Sequence, residues 1–180
     1  SAKTGLGVED VLESIVRCVP PPPGDASGLP RALIFDSWFD TYRGVIVLIR
    51  VVEGTLRKGD MIRLMATDAK MEIQGLGVFT PGPTEVNSLS AGEVGFLVTG
   101  TKDVRHTKIG DTVTLAGKAG KASSPLSGFK DIQAMVFAGI FPVDPADYPD
   151  LREALDKLRL NDSAFSFEPE TSAALGFGFR

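Results

Sequence analysis

A single cysteine, Cys18, and a single histidine, His106, stand among 180 residues. One thiol cannot close an internal disulfide, so a reducing compartment suits the chain. One imidazole cannot build a multi-histidine metal site, and no catalytic constellation assembles around it. His106, in "KDVRHTKIGD", reads as a solvated loop residue, and Cys18 as a packing residue on the buried side of a helix end. No apolar run approaches the ~20 residues that span a bilayer. A strong positive balance is missing too. The net charge of −4 and pI near 5.0 argue against a protein that coats nucleic acid by bulk electrostatics. Any such contact must be local. The opening "SAKTGLG" has neither an initiator Met nor a signal-peptide pattern, and reads as a cut inside a longer protein.

What is present suits a globular chain: 43% hydrophobic and 23% charged residues supply a core and a solvated surface. The charge is unevenly spread. Between 30 and 70, seven basic residues (Arg31, Arg43, Arg50, Arg57, Lys58, Arg63, Lys70) outweigh five acidic ones, a net of +2. Between 141 and 170, eight acidic residues outweigh three basic ones, a net of −5.

The periodicity changes twice along the chain. Val8, Val11, Leu12, Ile15, Val16 and Val19 form a helical stripe, with Glu9 and Asp10 at its start and Arg17 at its end. "PPPP" at 20–23 stops that helix, and "GDASG" continues as a flexible second half of a linker over 20–29. From 30 to 116, short runs such as "VIVLIRVVE", "MIRLM" and "VGFLVTG" alternate with turns at Glu53-Gly54, Lys58-Gly59-Asp60 and Pro81-Gly82-Pro83. Many short strands without helices between them predict a closed β-barrel, in which Trp38 sits in the core or at the rim. Residues 117–130 form a second linker. Beyond it, "QAMVFAGIFPV" predicts a strand, and "PDLREALDKL" a helix with Leu151, Leu155 and Leu158 on one face. "SAFSFEPE" and "ALGFGFR" predict two more strands. This β-α-β-β order opens a split-βαβ, ferredoxin-like domain whose closing half is missing.

Two phosphate-type patterns fail. "GKAGKAS" at 117–123 would need glycine at 112 or 115 to be a Walker A loop, and those positions hold Thr112 and Leu115. "DASG" at 25–28 fits a GTPase switch only as a four-residue chance match inside a linker.

"SAK", followed by Thr-Gly and a helix, resembles the guanine-lining fifth motif of P-loop GTPases. "FDSWFDTYRGVIVLIRVVEGTLRKGDMIRLM" and "AGEVGFLVTGTKDVRHTKIGDTVTL" resemble the second-domain barrel of translational GTPases. The stretch from "MVFAGIF" to "LGFGFR" resembles the third domain of the elongation factor 4 family of ribosomal GTPases. Pro23, where a Lys is common, and the missing Lys-Pro before "MVF" are small departures.

The resemblance implies a mainly β chain in three parts. Residues 1–19 end a GTP-binding domain, 30–116 form the translation-factor barrel, and 131–180 are an incomplete ferredoxin-like domain. It implies a parent that hydrolyses GTP with Mg²⁺ and promotes back-translocation or fidelity on elongating or stalled ribosomes. The phosphate loop and switches lie outside this chain, so the fragment should neither bind these cofactors nor hydrolyse GTP. Ser1, Ala2 and Lys3 would face the nucleotide. Arg43, Arg57 and Lys58, in two turns, are candidates for phosphates of small-subunit ribosomal RNA. The implied partner is the ribosome, with tRNA and the inner face of the bacterial cell membrane as lesser candidates. No DNA, metal site or obligate oligomer is implied, and the location is cytoplasmic with an organellar homologue left open. Two alternatives stand beside it. One is a barrel that only mediates protein contacts. The other is a stand-alone RNA-binding module whose RNA-recognition-type sheet carries Phe137, Phe177 and Phe179. Leu175 replaces the basic residue such a sheet needs.

Overall fold

A computed structural model describes residues 1–101, 107–117, 124–128, 135–162 and 164–180. His106 and most of the "GKAGKAS" stretch lie outside the described residues. The chain begins with helix α1 (Val8–Cys18) and continues through ten strands. These are β1 (Arg31–Asp40), β2 (Gly44–Glu53), β3 (Thr55–Arg57), β4 (Met61–Leu64) and β5 (Lys70–Glu72), then β6 (Gly75–Phe79), β7 (Pro83–Val86), β8 (Ser88–Ser90), β9 (Val94–Val98) and β10 (Thr112–Leu115). Eight strands pair in the order β5-β4-β10-β1-β2-β9-β6-β7, and β3 pairs with β8 as a separate ribbon. Only Ile73 and Gln74 separate β5 from β6, yet these strands stand at opposite sides of that order. The sheet must therefore curl onto itself. The seam carries its own hydrogen bonds: Gly59 N–H donates to Ile73 O (2.8 Å), and Gln74 N–H to Val98 O (2.8 Å).

Alternation along β2 explains the core. Val45, Val47, Ile49 and Val51 point inward and are fully buried, whereas Arg50 between them is exposed. They meet Ile34, Leu56, Ile62, Leu76, Leu89 and Leu97 in one cluster. Each such side chain contributes about 1.5–3 kcal/mol on burial. Trp38 lies on the rim of the strand face, with its ring 6.3 Å from that of Phe79.

The stripe of α1 does form a helix, but its apolar residues stay exposed, Val16 at 78%, and no α1 residue is buried. Cys18 is correspondingly exposed rather than packed, because no described element covers this helix. The linker is also stiffer than its composition suggests. Asp25 Oδ1 accepts the Ser27 N–H (2.8 Å) and hydroxyl (2.7 Å), while Asp25 O accepts from Gly54 N–H (2.8 Å). Thr55 Oγ1 adds a bond to Ala26 O (3.2 Å). "DASG" is an Asx turn pinned to the barrel, which explains its residues without a nucleotide.

After the barrel, a 3-10 turn at Pro145–Asp147 leads into α2 (Tyr148–Asn161), and a hairpin joins β11 (Pro169–Ser172) to β12 (Gly176–Phe179). The strand expected over 133–143 is reduced, among its described residues, to a single bridge between Ile140 and Phe179. Pro142 has no N–H to donate and Gly139 favours no strand, so pairing stops there. α2 runs past the expected helix by most of a turn. That extension carries Leu160, which is buried in the barrel cluster, while Leu158 stays half exposed. Ser37 Oγ donates to Leu160 O (3.1 Å), and Lys157 Nζ sits 5.0 Å from the centre of the Phe39 ring. The last turn of α2 thus closes over β1.

Candidate functional site

Two turns carry the basic residues singled out above. The β1–β2 turn is built by Asp40, whose Oδ1 accepts both the Tyr42 and Arg43 N–H groups at 2.8 Å. These bonds, from Arg43 first and then Tyr42, hold the Asp40 carboxyl below its ordinary pKa of 3.8. Gly44 completes the turn at φ 75°, and Val45 N–H donates to Thr101 O (2.8 Å). The β3–β4 turn is clipped reciprocally: Arg57 N–H donates to Asp60 Oδ2 (2.8 Å) and Asp60 N–H to Arg57 O (3.1 Å). Lys58 N–H donates to Asn87 O (3.2 Å). Backbone and acid together fix both turns, leaving the side chains of Arg43, Arg57 and Lys58 exposed and free of ion pairs among the described residues.

The two turns share a flank of the barrel. Gly59 bonds Ile73, Gln74 bonds Val98, the Gln74 amide fills the space above Gly100, and Gly44 lies against Gly100 and Thr101. Three strand spacings of ~4.8 Å lie between the turns, a path of about 15 Å along the curved sheet. Not all seven basic residues of 30–70 contribute. Arg31 makes a two-point contact with Glu53 (2.8 and 2.9 Å), and Arg63 is paired with Asp68. Of the five left without an ion pair among the described residues, Arg43, Arg57 and Lys58 sit in the turns, and Arg50 and Lys70 are exposed on strands.

Ser1, Ala2 and Lys3 are exposed and lie elsewhere. They form a turn closed by the Ser1 amine on Leu6 O (2.7 Å) and Gly5 N–H on Ser1 O (2.9 Å). The linker that follows α1 docks where Pro22 covers Gly92 and Gly24 faces Val52 O. Those residues border the end of β2 opposite Arg43, and no described hydrogen bond or ion pair joins Ser1, Ala2 or Lys3 to the basic flank.

The RNA-recognition-type sheet fails on geometry. Such a platform needs its aromatics open on one face. Phe179 is 1% exposed, stacked on Tyr148 at 4.7 Å and met edge-on by Phe167 at 5.4 Å. Phe137, off any strand, lies 5.5 Å from the Arg180 guanidinium, and Phe177 is edge-on to Tyr148; both stay exposed, so they and the buried Phe179 do not form one open face. Gly178, on the other face, is covered by Phe141. Of the three, Phe179 is the packing residue, and with Phe137, Phe165, Phe167 and Leu155 of α2 it lines a cleft of about 370 Å³.

A closed antiparallel barrel with a pinned Pro-rich entry is a translation-factor barrel, and residues 44–114 match the family model described as Elongation factor Tu domain 2. The chain is 58% identical over all 180 residues to elongation factor 4 of Sorangium cellulosum, and 54% identical to elongation factor 4 of Maridesulfovibrio salexigens. It spans 30% of the length of each. From end to end the chain belongs to the elongation factor 4 family as a segment of such a factor. Two solved structures share the fold at low identity. One, from Thermus thermophilus, is 23% identical with a TM-score of 0.68 over 96% of this chain and 25% of its own. The other, a bacterial selenocysteine-specific elongation factor, is 20% identical with a TM-score of 0.53 over 63% of this chain and 19% of its own.

Proposed function

We propose that this chain is the docking segment of a ribosome-binding translational GTPase that acts on elongating or stalled ribosomes and promotes back-translocation. The observation that carries this is the whole-length identity to elongation factor 4. Residues 1–19 would end the GTP-binding domain, 20–29 and 117–130 would be linkers, and 131–180 would open a third domain against the barrel. The parent would hydrolyse GTP with Mg²⁺. In this chain both Walker A registers fail, and among the described residues no metal-holding cluster occurs. Ser1, Ala2 and Lys3 are accessible and would line the guanine base.

The barrel's own part is to hold the factor on ribosomal RNA. Arg43, Arg57 and Lys58 are unpaired charges on rigid turns, an arrangement suited to phosphates rather than base edges. The work would be done in the cytoplasm. Among the described residues no helix is long and apolar enough to cross a membrane. An acidic chain gives peripheral membrane contact no electrostatic support.

The test uses the full-length factor carrying Arg57→Ala and Lys58→Ala. Losing two phosphate contacts should lower the slope of log affinity for ribosomes against log salt by about 1.4–1.8. An unchanged affinity and slope would refute the docking role.

A further inference from the structure

Tyr42 is 96% exposed, the most open aromatic ring among the described residues. It is not a loose tip. Its own N–H and that of Arg43 are held by Asp40 Oδ1 at 2.8 Å, and the strand that follows is tied to Thr101. Asp40 is a carboxylate at neutral pH, and the N–H bonds from Arg43 and Tyr42 favour that charged form further. A fixed backbone removes part of the ordering cost of binding, so the open ring is pre-organised for a contact outside the chain.

The neighbouring charge indicates what that contact is. Arg43 is exposed and free of ion pairs among the described residues, and Arg57 and Lys58 lie on the same flank. A protein groove for a lone tyrosine does not call for a row of unpaired cations. RNA with a splayed base does: the ring stacks on the base while the guanidinium takes the adjacent phosphate. We propose that Tyr42 is a stacking residue for an unpaired nucleobase in the RNA bound by the basic flank. This rests on the docking reading above and adds a base-stacking contact to it.

The experiment compares Tyr42→Ala, Tyr42→Phe and Arg43→Ala in the full-length factor, binding to small ribosomal subunits over a salt series with chemical probing of base reactivity. Stacking on one base predicts a loss of about 5- to 150-fold for Tyr42→Ala with an unchanged salt slope. Tyr42→Phe keeps the ring and should bind like the parent. Arg43→Ala should lower the slope by about 0.7–0.9. A base protected by the parent and by Tyr42→Phe, but reactive with Tyr42→Ala, identifies the contact. If Tyr42→Ala binds like the parent while Arg43→Ala is weakened, docking stands and stacking is overturned. If Tyr42→Ala is weakened with no change at any base, the ring lies on protein, which also overturns it. If Arg43→Ala and the Arg57/Lys58 double variant both bind like the parent, the docking reading fails first.

Discussion

Replacing Gly44 with alanine tests whether the β1–β2 turn is built as described, with Gly59→Ala as the matched control. Both glycines are left-handed, at φ 75° and 88°, so both alanines carry the same conformational cost of about 1–2 kcal/mol. The surroundings differ. A Cβ at Gly59 meets nothing within 4 Å, whereas a Cβ at Gly44 lands on the carbonyl oxygen of Thr101. That oxygen is backbone, and it already accepts the Val45 N–H at 2.8 Å. Relieving the clash must strain a bond worth about 1 kcal/mol, on top of overpacking at about 1–3 kcal/mol. Gly44→Ala should therefore be the less stable by about 1–3 kcal/mol, partly relieved by local shifts. For a barrel of this size each kcal/mol lowers Tm by about 4–8 °C. Urea unfolding followed by Trp38 fluorescence reads the difference, since Trp38 is the sole tryptophan and pairs with Ile46 two residues from Gly44. Equal losses in the two variants would refute the close approach of Thr101.

Two further outcomes follow from buried contacts. Asp111 is 5% exposed, and burial first of all pushes its carboxyl above 3.8, against lowering bonds from Ala66 and Thr112 N–H. Its folded pKa exceeds its unfolded one, so protonation favours the fold. The destabilisation is full above the folded pKa and disappears as pH falls to about 3.8. Asp111→Asn should abolish that acid-side gain in a pH series of urea midpoints. Asp111→Ala, which leaves two N–H groups without an acceptor, should cost about 1–3 kcal/mol at neutral pH and more as the parent gains on acidification. At the α2–β1 contact, Leu160→Ala should cost that contact about 2–5 kcal/mol, and Ser37→Ala about 1 kcal/mol. Hydrogen exchange should speed up in α2 ahead of the barrel strands, and uniform acceleration would argue against a local contact.

The barrel was legible because short runs rich in Val, Ile and Leu are separated by turns with glycine where φ is positive, at Gly54, Gly59, Gly92 and Gly110. The stripe of α1 was equally legible, yet it could not tell that nothing described would cover it, and so Cys18 was misplaced. Leu160 was missed for a related reason. A helix stopped at Leu158 has no residue to send into the barrel, and only the extra residues supply one. Arg43, Arg57 and Lys58 could be named from turn composition, but their freedom from ion pairs could not, since Arg31 and Arg63 look the same in sequence and are paired. Tyr42 left a signal that went unread. Asp40 two residues before it and Gly44 two after spell an Asx-stabilised turn, which fixes the backbone and sends the ring outward.

The pinned linker and the Tyr42–Arg43 tip stand at opposite ends of β2, ten residues or about 30 Å apart. The barrel between them is a closed, packed body that does not bend. Pro22, Gly24 and Asp25 are all seated on it, so a rotation of the barrel against α1 would pivot before Pro22. A pivot there of about 10–15°, ordinary for domain rotations, would sweep the tip through about 5–8 Å. That is enough to engage or release one nucleotide while every bond inside the barrel stays as it was.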